Sequence, residues 1–418
     1  MVKMKKKDFN SNISSIRDFI YSSLTGTMKE PEGCLAFPFV SPGSAYSKQL
    51  WDWDSYWTLY ALIQIAKQEK NKNLLEKVKP YAIGTIENFL KHQGIDGSLP
   101  IMISIHSADP FESTKSPDKN MAKPFIAQTL LLLWKEGIVS ETQLGYQLPA
   151  IRRYHQCYEK RYMDQRTGLV FCAQDLGLGV DDEPCAWGRP AKSCASVFLN
   201  TFLLKDYLAM EELCNTAKMF AEAADYKEKI ERISKALMKY CWDEREKAFF
   251  SLDIQCHANL MQNPQFGLLN SRLDPFWNGL KLKVLSWCSI LPFWAGIGSQ
   301  EQFSAWIREN LVPERLLSPF GVRSLSKDEM MYSPEVSRGN PSNWLGPIWL
   351  VANYIVWETL KIRGYSKEAD SLAANIQDML ATDLKQNGAF HEYYSPETGK
   401  GVRNKNFMSW NALAAIME

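Results

Sequence analysis

Two kinds of apolar pattern alternate along the chain. Residues 72–91 carry one apolar stripe opposite Lys and Glu side chains, which is typical of a helix that buries a single face. The stripe consists of Leu75, Val78, Ala82, Ile86 and Leu90. The same pattern predicts further outer helices at 10–24, 144–163, 217–241, 301–311 and 366–384.

The second kind of segment is apolar on nearly every side. A helix of this type is buried all round, so it predicts an inner helix. The inner segments are 55–66, 122–135, 193–208, 284–297, 343–360 and 407–417. Outer and inner segments therefore alternate six times, which predicts about twelve helices.

Short turns with small residues separate each outer helix from the next inner one. They recur roughly every 70 residues, as expected for a repeated helix pair. The turns are Glu32–Leu35, Asp96–Leu99, Thr167–Val170, Lys247–Phe250, Pro319–Val322 and Asn387–Phe390. The fourth copy lacks the glycine.

These repeats predict an all-α (α/α)6 toroid with short β-turns or hairpins at its loop end. An open superhelix is the alternative, but its inner helices would face water on one side. We expect a single catalytic domain over residues 1–418, in which 1–30 form an N-terminal arm and the first outer helix. The outer-to-inner loops then share one mouth, and they are 31–54, 95–121, 165–192, 243–283, 313–342 and 386–406.

Charge and composition exclude several classes of protein. The 418 residues include 48 Lys and Arg against 47 Asp and Glu, so the net charge is +1. A nucleic-acid binder or a polybasic membrane protein would carry a basic excess. Aromatic residues make up 12% of the chain, with 14 Trp, which favours either a large helical core or a carbohydrate-binding cleft.

The remaining composition indicates a cytoplasmic protein without cofactor or metal. No apolar stretch follows the basic N-terminus, and no run approaches the length of a membrane span. The nine scattered Cys are therefore predicted to be reduced thiols. Zinc motifs and phosphate-binding glycine loops are missing from the sequence, and its five His are dispersed.

The first chemical motif is WDWDSYW at residues 51–57. An indole face stacks on a pyranose and a carboxylate holds two of its hydroxyls, so Trp51, Trp53 and Asp54 are candidates for a sugar subsite. The alternative is a helix cap made by Asp54 or Ser55, with the indoles in the core.

The second motif is GLGVDDEP at residues 177–184. Neighbouring carboxylates raise the pKa of one member, and a carboxyl that stays protonated can act as a general acid. The alternative is a solvated acidic turn or a calcium loop, although EF-hand spacing is absent from the sequence.

Two further blocks carry aromatic and polar residues. Glu392 stands in FHEYYSPETGKG at 390–401, where residues 396–399 are predicted to form a hairpin turn that positions it. In NWLGPIW at 343–349, Asn343 is predicted to cap the helix and Pro347 to lie in its first turn. Trp344 is the better candidate for sugar contact there, and Trp349 is assigned to packing.

Together these blocks resemble glycoside hydrolase family 63 and its trehalase-like relatives. GVDDEP resembles the family block G-x-D-[DN]-x-P, and HEYYSPETG resembles E-x-Y-x-P-x-T-G. WDS at 53–55 resembles W-D-[ST], and WLGPIW followed by NY at 353–354 resembles W-R-G-P-x-W…N-Y. The resemblance implies an inverting α-glycosidase on an (α/α)6 barrel, with Asp181 as general acid and Glu392 as general base. Candidate sugar contacts are Trp51, Trp53, Asp54, Gln128, Asp182, Trp187, Trp344, Tyr393 and Trp410.

The sequence departs from the family pattern at several positions. Leu345 and Cys185 stand where many members have Arg, and Ala122-Lys123-Pro124 replaces Q-P-P. These changes bear on the substrate more than on the reaction. The chain is similar in size to the small members that act on glucosyl- or mannosylglycerate. An acidic aglycone would need a cation, for which the candidates are Lys123, Arg189, Lys192, Arg338 and Arg403.

Hydrolysis with inversion needs two carboxyl groups roughly 6.5–9.5 Å apart with a water between them. Asp181 and Glu392 come from different repeats on the same rim, so we expect them to meet this requirement. Trehalase activity, a sugar epimerase or isomerase, and a non-catalytic sugar-binding protein or helical scaffold are the alternatives. The sugar, the aglycone, the linkage and the oligomeric state stay open.

Overall fold

A computed structural model describes residues 6–256, 278–335 and 342–418, with side chains from residue 11 onward. The described chain is mostly helical. Its α-helices are α1 (Lys6–Thr27), α2 (Asp52–Gln68), α3 (Lys72–Lys91), α4 (Ile126–Lys135), α5 (Glu141–Tyr162), α6 (Val197–Thr216), α7 (Phe220–Ala236), α8 (Leu291–Trp294), α9 (Gln300–Asn310), α10 (Leu350–Ile362) and α11 (Ser366–Asn387). Short helices of other types are η1 (Ser44–Tyr46), a π-turn at Leu237–Cys241 that extends α7, η2 (Trp287–Ile290) and η3 (Ser409–Ile416).

The six predicted outer helices are confirmed within a few residues, as α1, α3, α5, α7, α9 and α11. Their ends follow local signals. Ser140 and Ser299 each form a capping box with the Gln three residues later, at the starts of α5 and α9. Gly388 ends α11 in the left-handed conformation, with its N–H bonded to the Leu384 carbonyl.

Three of the inner segments are helical over shorter lengths than predicted, whereas α2 extends beyond the predicted 55–66 at both ends and α6 continues beyond residue 208. Residues 122–125 and 343–349 lie outside α4 and α10, and segment 284–297 forms only η2 and α8. The two prolines Pro124 and Pro347 explain part of this, because the residue before a proline avoids the helical region. Asn343 is not the predicted cap, since its side chain accepts from Leu345 N and donates to two loop carbonyls.

The inner elements contact one another in sequence. In the described part of the chain α2 contacts α4, α4 contacts α6, α6 contacts α8, and α8 contacts α10. The series continues through η3, which contacts both α10 and α2. The outer helices α1 and α11 also contact each other, so the first and last outer helices meet.

Short antiparallel strand pairs connect outer to inner helices. The strands are β1 (Met28–Lys29), β2 (Phe39–Val40), β3 (Gln49–Trp51), β4 (Met102–Ser104), β5 (Cys194–Ala195), β6 (Trp242–Asp243), β7 (Ala248–Phe249), β8 (Leu252–Asp253) and β9 (Leu280–Lys281). The pairs are β1–β2, β3–β4, β6–β7 and the three-stranded β5–β8–β9. Trp51 of β3 lies opposite Met102 of β4. This pairing connects the segment that leads into α2 with the segment that leads into α4.

Most of the cysteines contribute to the core. Seven of the nine are buried in one continuous apolar core. Within the described ranges no helix is long and apolar enough to cross a membrane. Among the same residues, no cluster of three or more His, Cys, Asp or Glu side chains is suited to hold a metal ion.

Candidate active site

One cavity of about 380 Å³ lies at the loop end and collects acids from three distant segments. Asp54 comes from the first turn of α2, Asp181 from the loop before β5, and Glu392 from the loop after α11. No residue from the described part of segment 243–283 lines the cavity, whereas the other five predicted loops each contribute to it. The lining residues are Pro42, Tyr46, Trp51, Trp53, Asp54, Ile101, Phe111, Lys123, Leu176, Gly177, Gly179, Asp181, Ser342, Trp344, Trp349, Glu392 and Trp410.

Four buried indoles form the floor of this cavity. The rings of Trp344 and Trp349 stack at 4.1 Å and 3° between planes, and Trp53 lies 5.9 Å from Trp344. Trp410 contacts both Trp53 and Trp349, with ring centroids 5.4 and 5.7 Å apart. Such flat apolar faces suit the C–H face of a sugar ring. Trp349, which the sequence pattern assigned to packing, therefore lines the cavity as well as stacking in the core.

The two acids of the WDWD motif have different surroundings. Asp52 begins α2 and is buried, and its carboxylate accepts from the N–H groups of Trp53 and Lys123, both at 2.7 Å. Its Oδ1 also lies 2.8 Å from the Lys123 ammonium. Asp54 lines the cavity, and its pKa is raised well above the usual value by burial and by the neighbouring Asp52 charge. The alternative interpretation of a cap by Asp54 or Ser55 is wrong, because Trp51 holds the cap position and no side chain caps α2, although Trp53 and Trp57 are buried as that alternative expected.

The loop that carries Asp181 depends on two glycines with positive φ. Gly177 has φ 78° and Gly179 has φ 100°, values that side-chain-bearing residues rarely adopt. A Cβ on Gly179 would lie 2.8 Å from Cδ of Lys123, so this loop packs directly on the lysine stem. Asp181 lines the cavity, whereas Glu183 is buried beside Ser286 and burial raises its pKa to about 7.

Glu392 is held at the start of a hairpin that the sequence predicted. Its N–H bonds to the Arg403 carbonyl, and the turn closes by the bond from Gly399 N to Ser395 O. Glu392 is 5% exposed, and its carboxylate accepts from the Tyr46 hydroxyl, at 3.2 Å to each oxygen, and from Asn404 Nδ2. Burial raises the pKa of Glu392 to about 7, while the bonds from Asn404 and Tyr46 oppose that rise and the nearby Asp181 charge adds to it.

Replacement of Tyr46 by phenylalanine tests how this carboxylate is kept ionised. If Glu392 is the general base that the sequence predicts, it must be ionised, so activity is expected to fall as pH drops through about 7. The lost hydroxyl stabilised the charged form, so Tyr46→Phe should move this acidic limb to higher pH by roughly one unit. Profiles of kcat/KM against pH would measure the shift. Tyr146→Phe, which removes an exposed hydroxyl bonded to Glu87, is the control, and an unmoved limb in Tyr46→Phe would contradict the assignment.

Replacement of Lys123 by methionine tests the buried ion pair beside the cavity. The Lys123 side chain is 3% exposed and its partner Asp52 is 5% exposed, so the variant would leave a buried carboxylate without its cation. Loss of one partner of such a pair costs about 3 kcal/mol of unfolding free energy. Urea unfolding at neutral pH would measure the loss. Lys123→Met combined with Asp52→Asn should recover part of it, and a double variant as unstable as the sum of the singles would argue against the pairing.

Several residues predicted to contact sugar lie outside the lining of the cavity. Gln128 is buried. Its backbone N–H donates to the Asp206 carboxylate, and its side-chain amide donates to the Pro124 carbonyl. Tyr393 is buried behind the floor, 4.7 Å from the ring of Trp349. Asp182 follows Asp181 with φ 60°, and Trp187 is 52% exposed. Their roles as sugar contacts stay predictions.

The candidate cations are dispersed. Arg189 pairs with Asp253, and Lys192 pairs with Asp118 at 2.6 Å. The charge of Arg403 lowers the pKa of Glu392, although the residue is not part of the lining. Arg338 lies outside the described residues. Lys123 is thus the one candidate cation that the described structure brings to the cavity.

No sequence motif marks five residues of the site, which are Tyr46, Asn404, Ile101, Phe111 and Leu176. Tyr46 lies 346 residues from Glu392, and Asn404 lies 12 residues from it in the same predicted mouth loop, outside the motif at 390–401. Ile101 and Phe111 do lie in the second predicted mouth loop, and Leu176 directly precedes the glycine-rich acidic motif. Their position in those loops was the available signal.

The chain is similar in sequence to several known proteins. A family model described as the mannosylglycerate hydrolase MGH1-like glycoside hydrolase domain matches residues 47–410. Mannosylglycerate hydrolase MGH1 of Selaginella moellendorffii is 22% identical over 432 aligned residues, which cover 90% of this chain and 81% of that protein. A probable mannosyl-oligosaccharide glucosidase of Schizosaccharomyces pombe is 24% identical over 79% of this chain but only 38% of its own length.

Solved structures of similar fold exist. The crystal structure of the GH63 mannosylglycerate hydrolase from Thermus thermophilus in complex with glucose superposes with a TM-score of 0.68. The two chains share 19% sequence identity, and the match covers 97% of this chain and 98% of that one. At this identity the likeness establishes a shared fold.

Proposed function

The chain belongs to the mannosylglycerate hydrolase MGH1-like glycoside hydrolase family, and we propose that it hydrolyses a small α-linked glucoside or mannoside with inversion. Membership identifies the chain as a glycoside hydrolase of family 63. The observation that carries the finer proposal is the shared cavity, in which Asp181 and Glu392 stand with Asp54 and four indoles.

In the proposed reaction Asp181 donates its proton to the glycosidic oxygen as the bond to the anomeric carbon breaks. Glu392 accepts a proton from a water that attacks that carbon from the opposite face. The products are a free alcohol and a sugar with inverted configuration, and solvent exchange restores both carboxyl groups. The Tyr46 and Asn404 bonds to Glu392 support its part, because they favour the charged form that a base requires.

Asp54 and the indoles are proposed to hold the sugar that is cleaved. Asp54 reaches the cavity from the first turn of α2 beside the Trp53 ring, where a carboxylate can accept bonds from two hydroxyls. Trp51, Trp344 and Trp410 also line the space, so they are proposed as stacking surfaces.

We also propose that the helices close into an (α/α)6 toroid formed by one domain over residues 1–418. The cycle of contacts from α2 through α4, α6, α8, α10 and η3 back to α2 supports closure. The contact between α1 and α11 supports an outer layer that closes in the same way.

The test of inversion is the configuration of the first product. A panel of α-linked glucosyl and mannosyl disaccharides and glycosylglycerates should contain a substrate, trehalose included. Proton NMR should show the β-anomer of the cleaved sugar before mutarotation, and for trehalose, whose second glucose leaves as the α-anomer, equal amounts of the two anomers. The α-anomer appearing first would contradict inversion, and an epimer of the intact substrate would favour the epimerase alternative instead.

A further inference from the structure

The outer half of the cavity has an apolar wall, formed by Trp51, Ile101, Phe111 and Leu176. All four residues line the cavity. The floor indoles are buried, whereas Leu176 is 58% exposed and Trp51 and Phe111 are partly exposed. Ile101 is 1% exposed, as buried as the floor indoles, so the solvent side of the wall consists of Leu176, Trp51 and Phe111. For a substrate that enters with its sugar toward the floor, the wall would face the aglycone.

The loop that carries Asp181 packs against two residues of this wall. Leu176, Gly177 and Asp181 belong to one loop. A Cβ on Gly177 would lie 2.7 Å from Cδ1 of Ile101 and 3.6 Å from Cδ1 of Phe111, so the loop packs closely against both. The group that protonates the leaving oxygen must lie next to the leaving group. The wall is therefore placed to contact whatever is attached to that oxygen.

Trp51 is the one residue of the wall whose side chain has a polar atom. Indole Nε1 of Trp51 donates to Gln49 Oε1 at 2.8 Å, which satisfies the polar atom of that side chain. The rings of Trp51 and Phe111 meet edge to face at 5.6 Å and form a continuous aromatic surface. Such a surface gains free energy from apolar contact and gains little from a charged group.

Charge in the cavity also disfavours an anion. Asp54, Asp181 and Glu392 are carboxyl groups of the lining. Lys123 is the single cation among the lining residues that the structure describes, and its ammonium is 2.8 Å from Asp52 and 3% exposed. A carboxylate on the aglycone would approach Glu392, which the proposed reaction needs in its ionised form, while the described cation is already neutralised.

We propose that this enzyme prefers an uncharged, apolar aglycone, such as an aryl or alkyl group, over glycerate. The inference rests on the proposed hydrolysis and adds the class of leaving group. A consequence is that mannosylglycerate, the substrate in the names of the Selaginella and Thermus proteins, is not the preferred substrate of this chain.

The experiment compares benzyl and methyl α-glycosides of glucose and mannose with glucosylglycerate and mannosylglycerate. Benzyl and methyl alcohols are leaving groups of similar acidity, so their difference reports binding. For whichever sugar is cleaved, kcat/KM should be about tenfold or more higher for the benzyl than for the methyl glycoside. It should also exceed the value for the corresponding glycerate compound.

Two variants connect this preference to the wall. Phe111→Ala should lower the benzyl-to-methyl ratio about fivefold or more, because it removes apolar surface that the benzyl group contacts and the methyl group is too short to cover. The matched control is Phe220→Ala, which removes a 67% exposed ring at the start of α7 and should leave the ratio unchanged. Leu176→Arg, at an exposed position, should raise the relative rate on the glycerate compounds by adding a cation to the loop that carries Asp181.

The outcomes separate the two proposals. If wild-type protein cleaves the glycerate compound faster than the benzyl glycoside, the aglycone inference is overturned while hydrolysis stands. An unchanged benzyl-to-methyl ratio in Phe111→Ala also overturns it. If none of the six compounds nor any member of the disaccharide panel is cleaved, the proposed hydrolysis itself fails.

Discussion

Asp181→Asn is expected to reduce kcat for an α-glycoside with an alcohol leaving group by about 10²- to 10⁴-fold. The amide keeps the size of the carboxyl group but cannot give a proton to the departing oxygen. The loop should keep its shape, because it is built on the positive φ values of Gly177 and Gly179 and on packing against Lys123. Single-turnover and steady-state rates would measure the loss, and circular dichroism would check the fold.

An α-glycosyl fluoride identifies the missing step. Fluoride departs without a proton, so Asp181→Asn should cleave this substrate at a rate much closer to that of the wild type. The control is Asp175→Asn, an exposed carboxyl on the same loop, which should hydrolyse all substrates normally. Asp181 is not the general acid if Asp181→Asn hydrolyses ordinary glycosides at the wild-type rate. The same conclusion follows if the variant loses as much activity on the glycosyl fluoride as on a glycoside with an alcohol leaving group.

Glu392→Gln is expected to remove hydrolysis to a similar degree, about 10³-fold, and to do so for glycosides and fluorides alike. In an inverting reaction the attacking water must lose a proton to the base whichever group departs. Gln has the shape of Glu and can still accept from Asn404 Nδ2 through its amide oxygen, so the hairpin should persist. Rates on an α-glycosyl fluoride and on a methyl glycoside would measure both losses.

The control for this second variant is Glu397→Gln in the same hairpin. Glu397 accepts from the Tyr332 hydroxyl at 2.8 Å and its side chain is 43% exposed, outside the cavity lining. Its variant should hydrolyse both substrates at nearly the wild-type rate. Wild-type cleavage of the fluoride by Glu392→Gln would exclude Glu392 as the base. The contrast between the Asp181 and Glu392 variants on the fluoride therefore distinguishes acid from base.

The helical layout could be predicted because its signals are local. A stripe such as the one in 72–91 depends only on spacing within one helix, and α3 occupies the predicted residues. The hairpin that begins at Glu392 was likewise predicted from its Pro and Gly residues. Inner segments were less accurate, because buried helices and buried extended loops are equally apolar. Segment 343–349 is an example, since it lies before α10 rather than within it.

The roles of neighbouring acids could not be separated in the same way. Asp52 and Asp54 are two residues apart, yet Asp52 binds Lys123, which is 71 residues away in the chain, and Asp54 faces the cavity. In the acidic triplet, Asp181 lines the cavity while Glu183 is buried beside Ser286, 103 residues away. Each outcome depends on which distant group packs against which side chain.

Local patterns in the chain were enough to predict the alternating helices, the turns between them, and the aromatic and acidic motifs that the family blocks share. Two features emerged only from the folded chain: Tyr46 and Asn404 bind Glu392, and Phe111 packs beside the acid loop. The difference comes from the range of the interactions. Periodicity and turn chemistry act within a few residues, whereas the charge and shape of a cavity arise from side chains that meet only when the chain has folded.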